Sequence, residues 1–387
     1  MIRWTETGLE YEADPRQAER LLEGLGLDDG CKVAATPGLK PLVEQLKEDV
    51  PLPASSFTEF RGQAARSNYL AADRIDLQFG AKEICRFMSS PTETSVAAMK
   101  RLGRYLLDHK RLVWTYPWQQ AEGIDVYSDT DWSGCPRTRR STSGGCVMLG
   151  KHCIRTWSST QPSVTLSSGE AEFYGLVKAA GAGLGHQSIM KDLGLDTPVC
   201  VWTDSSAALG IATRSGLGKL RHLETHMLWV QEKVRTGAIA VRKVRGDVNP
   251  ADLFTKHLPS RDKIHQLTAL FGCEYRAGRA QTAPLLRPND VGGQQGGHLS
   301  TEEVLPNFVI AEAEAHDISR LPHLHSDIEI EKFFPNISAA PVTPNMDDWH
   351  PQAEESHRTT TTQHRRATTQ TTTMESRDRG RQTHRRD

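Results

Sequence analysis

The strongest constraint on the fold is a change of periodicity along residues 123–254. Gly123-Ile124-Asp125-Val126-Tyr127-Ser128-Asp129 alternates apolar and polar side chains, like a strand that ends in an acid. Residues 143–149 and 153–158 read as two further short strands about a turn at Gly150-Lys151. A helix begins near Ser168 and is expected to run to about Gly185. Residues 199–203 form a fourth strand, and short helices follow near 205–213 and 220–235. Residues 238–244 form a fifth strand, and Asn249-Pro250 opens a last helix. The order is βββαβαβα. Three successive strands pair antiparallel, and the later alternation adds strands in parallel through helical crossovers. The predicted class is α/β, a mixed five-stranded sheet flanked by helices.

The flanks differ in kind. Residues 1–118 are expected to be helical. Asp14 caps a helix with Pro15 at its first position and Gly26 just past its end. Helical stretches follow at about 62–88 and 92–108, the latter with Val96, Met99, Leu102 and Leu106 at helical spacing. This segment has no clustered acids. From about residue 276 periodicity disappears. Gly292-Gly293-Gln294-Gln295-Gly296-Gly297 resembles a linker, and a Thr/Arg/His tract begins at Thr359. Such composition buries too little surface to offset chain entropy, so residues 276–387 are expected to be a disordered tail, solvated rather than bound to nucleic acid.

Charge and cysteine usage exclude several classes. The net charge is −1, so any nucleic-acid surface must be a local patch. The 7 cysteines show no C-x-x-C spacing, which argues for a reducing compartment and against structural zinc. No run of about 18 apolar residues suggests a membrane span. The N-terminus lacks the apolar core of a signal peptide. The expectation is a soluble intracellular protein, cytoplasmic or nuclear, with no membrane partner.

Four carboxylates stand where chemistry could occur. Asp129 ends the first strand, Glu172 lies in the first turns of the long helix, Asp204 ends the fourth strand, and Asp252 lies in the first turn of the last helix. Strand ends and helix starts in an α/β layer meet at one rim, where ligands bind. Four carboxylates there repel unless a cation sits among them. Each acid also has a structural role open to it: Asp204 as a cap, Asp252 as a partner for a helix dipole. Ser167 and Glu170 fit a capping box, so Glu172 rather than Glu170 is assigned to the metal. Asp131 shares a strand face with Asp129 and is the reserve choice. His222 and His226 are four apart, a zinc-compatible spacing, but no third ligand accompanies them.

At these residues the sequence resembles the ribonuclease H domain of copia-type LTR retrotransposon Pol polyproteins. The strings are Tyr127-Ser128-Asp129-Thr130-Asp131-Trp132-Ser133-Gly134, Arg140-Ser141-Thr142-Ser143-Gly144-Gly145 and Trp157-Ser158-Ser159-Thr160-Gln161-Pro162. They continue with Leu166-Ser167-Ser168-Gly169-Glu170-Ala171-Glu172-Phe173-Tyr174, Trp202-Thr203-Asp204-Ser205-Ser206 and Asn249-Pro250-Ala251-Asp252-Leu253-Phe254-Thr255-Lys256. Upstream, Asn68-Tyr69-Leu70-Ala71, Arg74-Ile75-Asp76 and Lys100-Arg101-Leu102-Gly103 look like the region joining the reverse transcriptase to that domain. The resemblance implies a C-terminal fragment of such a polyprotein. Residues 1–118 would be a connection or thumb remnant, residues 119–275 a ribonuclease H-like domain, and residues 276–387 a tail. A polymerase Tyr-x-Asp-Asp strand is missing, and Asp347-Asp348 lacks a strand around it.

The resemblance also implies that Asp129, Glu172, Asp204 and Asp252 hold two Mg²⁺ ions, with Mn²⁺ the alternative. Asp129 would bridge both ions, Glu172 and Asp204 would hold one, and Asp252 the other. The implied partner is an RNA–DNA hybrid, with the rest of the polyprotein a second. The loop Arg245-Gly246-Asp247-Val248-Asn249 lacks the His that many cellular relatives carry there. Over residues 210–260 basic residues outnumber acidic ones 9 to 4. Arg214, Lys219, Arg221 and Arg245 are the candidate phosphate contacts, against a solvated helix face of equal weight. Three functions compete: an active hybrid-specific endoribonuclease, a catalytically inactive nucleic-acid-binding remnant, and an integrase-like strand-transfer enzyme. The last ranks low because its site would end in Glu rather than Asp252.

Overall fold

The computed structural model describes residues 1–218, 221–281 and 283–286. The expected tail therefore lies outside the described residues from 287 onward, as does Lys219. The chain opens with strands β1 (Ile2–Thr5) and β2 (Gly8–Glu12), then helices α1 (Pro15–Gly24), α2 (Val43–Lys47), α3 (Phe57–Leu70), α4 (Gln78–Cys85) and α5 (Glu93–Asp108). Strand β3 (Arg111–Pro117) leads to β4 (Ile124–Asp131), β5 (Thr142–Leu149) and β6 (His152–Thr160). Helix α6 (Ser168–Asp192), β7 (Val199–Thr203), α7 (Ser206–Thr213), α8 (Trp229–Arg235) and β8 (Ala240–Lys243) follow. A 3₁₀ turn (Pro250–Phe254), α9 (Arg261–Ala269) and β9 (Cys273–Arg276) complete it.

The five-stranded sheet has the order β6-β5-β4-β7-β8. β4–β5 and β5–β6 are antiparallel, and β4–β7 and β7–β8 are parallel. This is the mixed α/β sheet that the strand spacing predicts. Alternation along the strands divides the sheet into two buried faces. Ile124, Val126, Val147 and Val201 join Phe173, Leu176 and Ala180 of α6 in one core. Cys146, Met148 and Cys153 face the other way and join Leu70, Ile75, Leu102, Leu106 and Trp114. The upstream helices thus cover the second face of the sheet.

Four elements differ from expectation, each for a physical reason. Residues 1–118 are not purely helical. β1, β2 and β3 form an antiparallel sheet of order β1-β2-β3-β9, closed by a strand from beyond residue 272. The single helix expected over 62–88 is two helices, α3 and α4, because Arg74 and Asp76 turn inward between them. Arg74 donates from Nη2 to Asp76 Oδ2 at 2.7 Å and to the His109 carbonyl at 2.8 Å. Helix α6 passes Gly185, which has open space around it, and ends at Asp192, where Gly194 takes a left-handed backbone and Leu195 N donates to the Met190 carbonyl at 2.8 Å. Gly183, by contrast, serves close packing. A Cβ at Gly183 would meet Val199 Cγ1 at 2.6 Å. The last helix expected after Asn249 is the short 3₁₀ turn, closed at Thr255, whose N–H donates to the Asp252 carbonyl; Pro259 then restricts Leu258 before the next helix. Ser260 then caps α9, its side chain accepting from Lys263 N.

The Arg74–Asp76 pair is fully buried and ties the α3–α4 turn to the end of α5. Removing one partner of such a pair strands the other charge. Arg74→Ala is expected to lower unfolding stability by about 3–5 kcal/mol, read from the urea midpoint of the full chain. An unchanged midpoint would remove this pair from the scaffold.

Candidate metal centre

The acids are positioned by local rules that can be followed residue by residue. Asp129 sits in β4 opposite Gly144 of β5. Ser128 and Thr203 are the last residues paired between β4 and β7, so the next residue on each, Asp129 and Asp204, stands at one rim of that pair. Ser167 caps α6 by accepting from Glu170 N at 3.2 Å, which sets Glu172 in the second turn facing that rim. Asp129, Glu172 and Asp204 each offer a carboxylate oxygen, all within 4.8 Å of one another.

Asp252 arrives from a different element. Asn249 caps its 3₁₀ turn, and the Asn249 amide donates to the Ser128 carbonyl at 3.0 Å. Gly144 makes room for this turn, because a Cβ there would come 2.6 Å from Thr255 Cγ2 and 2.7 Å from Phe254 Cβ. Asp252 is beside the trio but not within its 4.8 Å limit. Between them stands Lys256, whose Nζ is 2.8 Å from Asp252 Oδ1 and 3.4 Å from Asp129 Oδ2. The Thr255 hydroxyl donates to Asp129 Oδ2.

The electrostatics follow from crowding. Burial, then Asp129 and Asp204, push the Glu172 carboxyl up to about 9. Burial and Asp129 also raise Asp204. Burial, with Asp129 next, raises Asp252 to about 6. Burial alone would lower the Lys256 ammonium, but Asp129 and Asp252 outweigh it and the net shift is upward. Glu172 Oε2 is buried with no hydrogen-bond partner among the described residues. An all-oxygen donor set with one unpartnered buried carboxylate oxygen fits a hard divalent cation.

The two alternatives are placed elsewhere. Glu170 Oε2 accepts from Leu166 N at 2.8 Å and lies 3.0 Å from His222 Nε2, so capping occupies it. Asp131 lies outside the trio, with burial raising its carboxyl. His222 and His226 do not share a helix. His222 contacts Glu170, and His226 lies 3.3 Å from Glu224 in a separate 3₁₀ turn. Of the basic candidates, Arg221 is exposed, whereas Arg214 donates to the Leu217 carbonyl at 2.6 Å. Arg245 Nε donates to Asp247 Oδ1 at 3.0 Å. Thr255 and Lys256 are not among the site residues that the sequence singles out. Lys256 had a signal, since it lies four residues after Asp252 at ion-pair spacing.

No protein-family model matches the chain. A retrovirus-related Pol polyprotein from transposon RE1 of Arabidopsis thaliana is 29% identical over 218 residues, covering 56% of this chain and 15% of that polyprotein. An uncharacterized mitochondrial protein of Arabidopsis thaliana is 31% identical over 190 residues, 46% of this chain and 72% of that one. The chain thus spans a small part of the polyprotein it matches. Among solved structures, the RNase H1 LC11 isolated from compost is 18% identical, with a TM-score of 0.25 over 35% of this chain and 93% of that one.

The raised Glu172 value has a consequence for stability. Folded protein holds a proton that unfolded chain releases above about 4.5, so this contribution is full below that pH and is lost as pH rises through about 9. Metal-free protein is expected to melt at progressively lower temperature across that window. Glu172→Gln should flatten the decline, and Mg²⁺ should raise the wild-type Tm at the alkaline end more than the variant's. Identical pH profiles for the two proteins would show that Glu172 does not sit among the acids.

Proposed function

We propose that this chain, which belongs to the retrovirus-related Pol polyproteins of copia-type transposons, is a Mg²⁺-dependent endonuclease that cuts the RNA strand of RNA–DNA hybrids. The observation that carries it is the convergence of Asp129, Glu172 and Asp204 from two parallel strands and one helix. Divalent cations held by such carboxylates activate a water and stabilise the leaving oxygen in phosphodiester cleavage. Asp129, Glu172 and Asp204 would hold the first ion, and Asp252 with Asp129 the second. Thr255 orients the Asp129 carboxylate through its hydroxyl. Lys256 limits the mutual repulsion of Asp129 and Asp252. Mn²⁺ is the alternative ion.

The partner in this proposal is the hybrid duplex, recognised by groove shape and 2′-hydroxyl groups. Arg214, Arg221 and Arg245, with Lys219 beyond the described residues, would meet its phosphates. Residues 1–118 would be the segment that joins the polymerase to the nuclease, and 119–275 the nuclease itself. An intracellular location is proposed with them. Among the described residues, no helix is long and apolar enough to cross a membrane.

One observation favours a second reading, a binding remnant without catalysis. The Lys256 ammonium lies between Asp129 and Asp252, the pair that would hold the second ion. The two readings separate in one assay of the full chain on a labelled RNA–DNA hybrid with Mg²⁺. The expected result is cleavage of the RNA strand alone, reduced at least about a hundredfold in Asp129→Asn and Glu172→Gln. Tight binding without cleavage would instead establish the remnant.

A further inference from the structure

A cavity of about 520 Å³ lies where the loop before α2 and helices α4 and α5 meet the strand that carries Asp129. Its walls are largely apolar, with Leu39, Phe79, Ile84 and Phe87 on the upstream side. Its charge is one-sided. Lys40, Arg86, Arg101, Arg137 and Lys256 line it, against Glu83 and Asp131. Arg86 pairs with Glu83 at 3.2 Å, and Lys256 pairs with the acids of the metal centre. The remaining cations have no ion-pair partner recorded among the described residues. The Arg101 guanidinium donates to the Thr36 hydroxyl at 2.8 Å, while its Nε is buried without a hydrogen-bond partner among those residues. The Arg137 guanidinium lies over the Phe87 ring, 4.6 Å from its centroid. His257, also in the wall, is pushed down to about 4 by burial and stays neutral.

Aromatic and apolar walls with unmatched cations suit a group that is flat and apolar at one end and anionic at the other. A nucleotide has that form: bases stack on aromatic and guanidinium planes while phosphate meets the cations. An inorganic anion would not use the apolar walls, and an acyl chain would not use the cations. The cavity also continues from the metal centre. Lys256 belongs to both, and Asp131 in its wall is two residues past Asp129 on β4.

We propose that this cavity receives a single-stranded nucleotide of the nucleic acid held at the acid cluster. Its base would lie against the Phe79–Phe87 wall and its phosphate at Lys40, Arg101 and Arg137. The presence of a strand at that place rests on the nuclease reading, whereas the cavity's chemistry does not. The upstream segment would then be part of the substrate site.

The test is equilibrium binding by fluorescence anisotropy, using the full chain in EDTA so that no strand is cut. The probes are a blunt RNA–DNA hybrid, the same hybrid with a short single-stranded overhang, and the single strand alone. Adenosine 5′-monophosphate serves as competitor. The overhang is expected to tighten binding about tenfold, and the competitor should remove that gain. Lys40→Glu with Arg137→Glu, both at exposed positions, should abolish the gain and leave blunt binding within about twofold. Ala97→Phe, an uncharged change at an exposed lining position, should do the same by filling the mouth. A bound blunt hybrid with no gain from the overhang overturns the proposal, as do variants that weaken both hybrids equally. Competitor binding without any overhang gain also overturns it, because the site would then take a free nucleotide. If blunt hybrid is not bound but the single strand is, and the variants lose it, the cavity assignment stands and the nuclease reading falls.

Discussion

The structure depends on holding carboxylates together that repel one another. At separations of a few ångströms and away from bulk water, each pair of like charges costs several kcal/mol in order of magnitude. The chain meets that cost with rigid, close-packed backbone rather than with loops. Parallel pairing of β4 and β7 fixes Asp129 and Asp204 one residue past the last paired positions. Helix α6 lies close on the sheet because Gly175 and Gly183 have no Cβ to hold it off. A Cβ at Gly175 would come 2.5 Å from Thr130 Oγ1. The Asn249 amide on the Ser128 carbonyl then brings the fourth acid to the same rim.

The same sheet links that rim to the upstream segment. Because side chains alternate along a strand, burying both faces requires cover on both. α6 covers one face, and the upstream helices cover the other through the core that contains Cys146, Met148 and Cys153. Strand β9 (Cys273–Arg276), which follows the five-stranded sheet in the chain, returns to pair with β3. A boundary near residue 118 therefore separates two sequence patterns, not two independent cores. Interactions such as Lys82 Nζ to Thr142 Oγ1 at 2.7 Å cross it directly.

The element ends near which Asp129, Glu172, Asp204 and Asp252 stand were legible from period and capping rules, and the structure brings the first three together. The Ser167–Glu170 cap was legible too: Ser167 accepts from Glu170 N and Glu170 accepts from Leu166 N, while Glu172 lies with Asp129 and Asp204. What escaped depends on tertiary contact. Lys256 and Thr255 act on Asp129, which is more than a hundred residues away in the chain. The β1-β2-β3-β9 sheet escaped because its first strands are short, β1 is mostly exposed, and β9 pairs with β3 across more than 150 residues of intervening chain. The split between α3 and α4 escaped because Arg74 and Asp76 look like ordinary surface charges until the end of α5 is placed above them.

Charge balance explains why Lys256 and a raised Glu172 occur in one site. Burial and the neighbouring acids Asp129 and Asp204 favour the protonated form of Glu172, and Lys256 places one ammonium against Asp129 and Asp252. A first cation among Asp129, Glu172 and Asp204 would displace the Glu172 proton, which couples its affinity to pH. A second cation, between Asp129 and Asp252, would compete with Lys256 for the same oxygens. On the two-ion reading the ammonium would rank the positions, because the second would open only when Lys256 moves to another anion. A phosphate of a bound strand would provide one, which would make completion of the metal centre depend on the substrate.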